Sequence, residues 1–263
     1  MKKDERELKL NEYFECYAPE TAICEKEHNA RYKYARSFAQ GLNLLDIGCG
    51  YGKGTYLLSK VAKSAIGIDY HKDLISYLKK KYIRKNLAFY VMDCSDKLKF
   101  KDNVFDIICG FDIIEHLNNP EQFLKEVRRV LKPEGKLLLS TPNALHEKGY
   151  PYHTKEYNEL EFRSLLQHYF DQVALLGQGF NVLERTGNDT KRERGLLFLR
   201  IKSIFLLLPV STRKLLKKIF KIYIYKYSPF WQKATAKNIL IQNGDLKNAK
   251  HFIAICRSKK CAE

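Results

Sequence analysis

From Leu42 onward, short apolar runs alternate with amphipathic stretches. Leu42, Leu44, Leu45 and Ile47 form the first run, and Ala65 to Asp69, Ala88 to Met92, Phe105 to Cys109 and Gly135 to Thr141 follow as further predicted strands. Helices are predicted between them near Gly54 to Ala62, Lys72 to Tyr82 and Pro120 to Leu131. Such alternation implies a parallel sheet with helices on both faces. Glu161 to Tyr169 continues as a helix, Val173 to Leu176 as a strand, and Lys250 to Arg257, with Phe252, Ile253, Ala254, Ile255 and Cys256, as a last sheet strand. Residues 4 to 39 carry helical periodicity and many charges, which suits a helical cover.

The 263 residues can bury one sizeable core with an appendage. The pattern divides them into an N-terminal cover (residues 1–40), a sheet core (41–180), an insertion (181–247), and the last strand with its tail (248–263). The insertion is far longer than ordinary loops and needs structure of its own or freedom to move.

Charge separates the parts further. The net charge is +17, and residues 191–263 hold 18 Lys+Arg against 3 Asp+Glu, leaving 29 against 27 in the rest. The first nine residues, Met-Lys-Lys-Asp-Glu-Arg-Glu-Leu-Lys, lead into no apolar stretch, so no secretory leader is expected. The seven cysteines are scattered and never spaced as Cys-x-x-Cys, which indicates neither a zinc site nor a disulfide framework. A cytoplasmic setting fits, and no metal site is expected. Cys49, Cys94 and Cys109 fall at strand ends, where packing alone explains them.

The chemistry concentrates where the first strand ends. Residues 45 to 55 read Leu-Asp-Ile-Gly-Cys-Gly-Tyr-Gly-Lys-Gly-Thr, and Gly48, Gly50 and Gly52 let the chain turn where a side chain would block a ligand. A dinucleotide turn places pyrophosphate on a helix N-terminus. Here Asp46 precedes the first glycine by two residues, and fixed negative charge suits a cationic ligand such as a sulfonium with its α-ammonium. Gly52-Lys53-Gly54 does not complete a phosphate loop.

Ligands of open α/β sheets lie at the carboxyl ends of strands. Asp69, before Tyr70, ends the second strand and can accept both hydroxyls of a ribose; Asp93, before Cys94, ends the third and can accept from an adenine amino group. Gly110 and Phe111, after the fourth strand, would close over the adenine or the chain bearing the sulfonium. Any single strand-end aspartate can instead cap the next helix. Together with the glycine turn they describe a nucleoside without phosphate.

These residues resemble the class I S-adenosylmethionine-dependent methyltransferases of the type 11, ubiquinone-methyltransferase-like group. The resemblance rests on Leu45-Asp46-Ile47-Gly48-Cys49-Gly50-x-Gly52, Gly67-Ile68-Asp69, Phe105-Asp106-Ile107-Ile108, Ile114-Glu115-His116-Leu117 and Val130-Leu131-Lys132-Pro133-x-Gly135, in family order. It implies an α/β, Rossmann-like seven-stranded mostly parallel sheet in the order 3-2-1-4-5-7-6, with a basic helical insertion before the antiparallel last strand. It also implies S-adenosylmethionine as cofactor, held by Asp46, Gly48, Gly50, Gly52, Asp69, Tyr70, Asp93, Cys94, Gly110 and Phe111. Glu27-His28-x-x-Arg31-Tyr32, Ser140-Thr141-Pro142-Asn143 and Tyr152-His153-x-x-Glu156-Tyr157 are similar to a subgroup associated with glycan or lipid-linked sugar modification. Asp112 departs from the Glu of many relatives.

Methyl transfer from a sulfonium needs alignment, exclusion of water, and a base if the acceptor is a hydroxyl. His116 after the fourth strand and His153 after the fifth are the candidate bases, with Glu156 able to orient His153; His116 can equally serve to fix its loop. His28 and Arg31 share a helix face, and Arg31 either holds the cofactor carboxylate or an acidic substrate, or is solvated. Asp106 is assigned to the strand end.

Residues 196–227 hold two apolar-basic stretches parted by Pro209. In the second, Leu215, Leu216, Ile219, Phe220 and Tyr223 oppose Arg213, Lys214, Lys217, Lys218 and Lys221. Such a helix can lie on anionic headgroups, so an anionic membrane surface at the inner face of a membrane is a candidate partner. The longest uncharged run, Ser203 to Thr212, is ten residues and too short to span. The same stretch can be a lid with solvated lysines. A nucleic acid would use these lysines with Tyr223, Tyr225, Tyr227 and Trp231, but no RNA-binding domain accompanies them. Three functions follow: O-methylation of a glycan, lipid-linked sugar or other small acceptor; RNA methylation; or a membrane-associated cofactor-binding module without turnover.

Overall fold

A computed structural model describes residues 21–146, 152–180, 239–244 and 246–258. The seven expected strands and the helices between them appear with boundaries moved by a few residues. Helix α1 (Thr21–Arg36) precedes β1 (Asn43–Ile47), and α2 (Lys53–Ser59), β2 (Ser64–Asp69), α3 (Lys72–Lys81) and β3 (Leu87–Val91) complete the first half. The second half runs β4 (Phe105–Phe111), a 3-10 turn (Ile114–His116), α4 (Pro120–Val130), β5 (Leu131–Pro142), α5 (Glu159–Gln167) and β6 (Gln172–Phe180). Two further strands, β7 (Ile239–Gln242) and β8 (His251–Arg257), end the described chain.

Among the described residues eight strands, not seven, form one sheet in the order β3-β2-β1-β4-β5-β8-β6-β7. The additional strand is β7, inside residues 181–247, which the sequence pattern assigned wholly to a helical insertion. It pairs antiparallel with β6, Gly177 opposite Gln242. Strand β8 runs antiparallel between β5 and β6, with Ile255 beside both Leu138 and Ala174. Residues 181–238, which contain the basic stretch of 196–227, lie outside the described residues, as do residues 1–20.

The parallel strands are covered on both faces, which explains their unbroken apolar runs. Leu45, Ile47 and Ile108 pack on one side with Phe123, Leu124 and Val127 of α4; Leu44, Ile107 and Cys109 pack on the other with Ala35 of α1 and Leu58 of α2. Local chemistry sets the helix ends. Asn119 caps α4, with Pro120 in its first turn, where a missing N–H costs nothing. Asn158 and Glu161 form a reciprocal capping box at α5. Asp106 accepts from the Asn43 N–H at 2.9 Å and from Lys132 at 2.7 Å, tying the starts of β1 and β4. Among the described residues no helix is long and apolar enough to cross a membrane.

Candidate active site

The turn after β1 passes through three left-handed positions, Gly48, Gly50 and Gly52 at φ 66°, 48° and 66°. At Gly50 a Cβ would meet nothing within 4 Å, so the chain's outer side is open there. The Gly50 N–H donates to Asp69 Oδ2 at 3.1 Å, and the His71 N–H donates to Oδ1 at 3.0 Å. Two backbone donors thus aim the Asp69 carboxylate across the mouth between β1 and β2, while four lone-pair sites leave it capacity for a ligand. Tyr70 beside it is exposed. Asp93, after β3, is exposed and uses Oδ1 to accept from the Ser95 N–H and hydroxyl, at 2.9 and 2.6 Å. Cys94 instead packs in the core, where burial pushes its thiol up to about 12.

Asp46 faces inward. It is fully buried and accepts from Thr55 at 2.5 Å and from the Tyr32 hydroxyl at 3.1 Å. The charge expected to meet a cationic ligand is therefore engaged behind the turn, bracing α1 and α2 against β1. Burial raises its carboxyl to about 7, against the opposing pull of the Thr55 and Tyr32 hydrogen bonds. Tyr32 reaches it by lying against Gly54, where a Cβ would come within 2.1 Å of the ring. Sequence reading held Tyr32 only as part of a motif and gave Thr55 no role; a further visible signal was Gly54, small for its place in a helix.

Gly110 and Phe111 are corrected likewise, since they lie within β4 and not after it. Phe111 meets Tyr32 edge-on, ring centres 5.0 Å apart, and packs into the core on the α1 side. It is 4% exposed, so its ring belongs to the core. Arg31 is neither solvated nor open to ligand on its guanidinium ends: it is 1% exposed and donates to Asp112 Oδ2 at 2.5 Å and to Gln178 Oε1 at 2.7 Å. His28 approaches the same Asp112 oxygen at 3.1 Å. Although burial alone would raise it, Asp112 is held well below the usual carboxylate range by Arg31, His251 and His28. Lys250 pairs with Glu27 at 2.9 Å, so α1 is bonded to β6 and to the start of β8 through polar side chains.

The two candidate bases come together at the ends of β4 and β5. The His116 and His153 ring centres are 5.0 Å apart. His116 Nδ1 lies 2.9 Å from the Tyr152 carbonyl, and His153 Nδ1 lies 3.8 Å from Glu156. A carbonyl can only accept, so His116 Nδ1 carries the proton and Nε2 is left with its lone pair. Glu115, passed over in the sequence except as part of a motif, is 1% exposed below them; its Oε2 accepts from Thr141 at 3.1 Å. Burial, with the charge of Asp112, pushes its carboxyl well above the usual range.

Residues 45–139 match the model of a methyltransferase domain. A probable S-adenosylmethionine-dependent methyltransferase of Mycolicibacterium smegmatis is 32% identical over 148 residues, 54% of this chain and 56% of that protein. The mitochondrial ubiquinone biosynthesis O-methyltransferase of Dictyostelium discoideum is 31% identical over 116 residues, 40% of this chain and 36% of that protein. This chain thus spans about half the length, or less, of these relatives. In fold it is similar to a Thermotoga maritima S-adenosylmethionine-dependent methyltransferase, with a TM-score of 0.58 at 14% identity, covering 95% of this chain and 96% of the other. The segment that builds the glycine turn, the Asp69 mouth and strands β1 to β5 is thus similar to a methyltransferase domain, and S-adenosylmethionine is the cofactor that this likeness supports.

Proposed function

We propose that the chain is an S-adenosylmethionine-dependent methyltransferase that methylates a hydroxyl of a glycan, lipid-linked sugar or other small acceptor. The observation that carries the cofactor side is the Asp69 carboxylate, aimed by the Gly50 and His71 amides over an open glycine turn. It suits the paired hydroxyls of a ribose. Asp93 stands at the next strand end for the adenine, Gly48 and Gly50 allow backbone approach, and Asp46 supports the turn from behind. Charge balance agrees, since the turn supplies a carboxylate and no lysine pocket for phosphate.

The acceptor belongs at the ends of β4 and β5, above the histidine pair. In the reaction the acceptor oxygen attacks the methyl carbon as the carbon–sulfur bond breaks; the electron pair stays on sulfur and the hydroxyl proton leaves. His116 Nε2 is placed to take that proton, with His153 as its neighbour. A hydroxyl acceptor is one that calls for such a base, and the name of the Dictyostelium relative is that of an O-methyltransferase.

Calorimetric titration with S-adenosylmethionine tests the cofactor side. The native chain binds, and Asp69→Ala binds at least tenfold more weakly; equal affinity of the two, or no binding to the native chain, overturns the reading. Transfer of labelled methyl to sugar diols but not to amines tests the acceptor class.

A further inference from the structure

The end of the sheet away from the Asp69 mouth carries a surface that methyl transfer does not use. The segment joining α3 to β3 reads Lys79-Lys80-Lys81-Tyr82-Ile83-Arg84-Lys85, five cations in seven residues, and no acidic residue occurs from Leu74 to Met92. Strand β3 runs parallel to β2, with Leu87 beside Ala65 and Val91 beside Asp69, so a segment that leads into Leu87 lies where the strands start. Lys60, just past α2, joins it: Lys60, Ile83, Arg84 and Lys85 line one open hollow of about 470 Å³. Among the described residues none of these six cations makes an ion pair.

The surface is held in place from behind. Tyr56 and Tyr82 stack with ring centres 4.8 Å apart, Lys60 lies 5.0 Å over Tyr56, and Lys81 lies 5.2 Å over Tyr82 and 5.1 Å over Tyr77. The Asn86 side chain donates to the Ser59 and Ala62 carbonyls at 2.8 and 3.0 Å, fastening the turn before β3 to the end of α2. The helix dipole accounts for the three lysines in the last turn of α3. It accounts neither for Arg84 and Lys85, beyond the helix, nor for Ile83, which is 83% exposed among them. A large apolar side chain standing in water between cations matches an interfacial contact, in which it enters the boundary of headgroups and acyl chains while the cations meet anionic headgroups. Nucleic acid fits less well, because the faces of Tyr56 and Tyr82 that would stack on bases are taken by one another and by lysines.

We infer that this end of the molecule docks on an anionic lipid surface, with Ile83 inserted and Lys60, Arg84 and Lys85 on headgroup phosphates. The cofactor mouth sits at the other ends of the same strands, so docking leaves S-adenosylmethionine binding unaltered. This contact is separate from the one expected of residues 196–227, and it does not rest on the methyl-transfer reading.

The test is sedimentation of the full chain with vesicles of phosphatidylcholine, alone or mixed with phosphatidylglycerol. A background of Lys214→Glu, Lys217→Glu and Lys218→Glu removes the charge of the other basic stretch, so that the surface beside β3 is read by itself. This background sediments with the mixed vesicles and not with phosphatidylcholine alone. A cation near such a surface contributes roughly fivefold in affinity, so adding Arg84→Glu and Lys85→Glu weakens binding at least about tenfold. Ile83→Ser weakens it severalfold, and that loss persists at high salt because it is apolar. Lys99→Glu with Lys125→Glu, the same charge change at exposed positions elsewhere, sediments as the background does. Circular dichroism and S-adenosylmethionine affinity, unchanged in these variants, show that they fold. No sedimentation of the background, or equal sedimentation with and without Arg84→Glu and Lys85→Glu, overturns the proposal. Loss of tRNA binding in that double variant with vesicle binding retained also overturns it, in favour of RNA. Vesicle binding without any S-adenosylmethionine binding keeps the docking surface and overturns the methyl-transfer reading, so the two failures are distinguishable.

Discussion

Asp46 shows how much a residue's meaning depends on its direction. Two residues before a glycine turn, its charge reads as facing the ligand. In the fold it is fully buried, with Thr55 and Tyr32 on its oxygens and its carboxyl raised to about 7. A carboxyl whose folded value lies above its unfolded one contributes stability that is fully present below about pH 4 and is lost as pH rises through the folded value. Between about pH 4 and 7 the native chain therefore loses on the order of 4 kcal/mol from this group, and Asp46→Asn, which keeps acceptors for both hydroxyls, does not. Thermal midpoints of the two proteins across that range converge as pH rises if the native chain starts ahead; a constant difference shows that Asp46 is ionised throughout.

Elements act on the site through their connections. The 3-10 turn Ile114–His116 and the loop of His153 are brought together across 36 to 39 positions by backbone and hydroxyl bonds. Thr154→Val removes the hydroxyl while keeping the N–H bond to Glu115. A lost hydrogen bond of this kind costs about 1 kcal/mol. Denaturant unfolding reads that loss, while S-adenosylmethionine affinity stays unchanged. A parallel loss of cofactor affinity would mean that the loop serves the whole mouth and not the acceptor side alone. The legibility of elements follows the same division. The βα alternation is visible because each strand is a continuous apolar run and each helix a periodic one. Ile239-Leu240-Ile241-Gln242 is four residues with no period to read, and it becomes a strand only because β6 offers an edge.

At the scale of the molecule, charge divides the chain. Residues 191–263 hold 18 basic against 3 acidic residues, and the sequence of the stretch 196–227 interleaves apolar residues with its lysines. Sedimentation with anionic vesicles, falling as salt rises, is the expected result for a chain that works at a membrane on a lipid-linked acceptor. Tight binding to tRNA without binding to vesicles would favour an RNA substrate instead. The strongly basic segment and the evenly charged core can thus be tested as separate contributors to acceptor choice.

The sequence by itself determined the glycine turn, the strand-end carboxylates Asp69 and Asp93, and the order of strands and helices apart from β7, because each depends on neighbours a few positions away. Tertiary structure alone decided that Asp46 and Phe111 face inward, that Arg31 is sealed between Asp112 and Gln178, and that Glu115 lies beneath His116 and His153. Those outcomes depend on residues 14 to 147 positions apart meeting across packed elements. Local periodicity shows which residues are buried, whereas what a buried polar group bonds to is set by the elements packed against it.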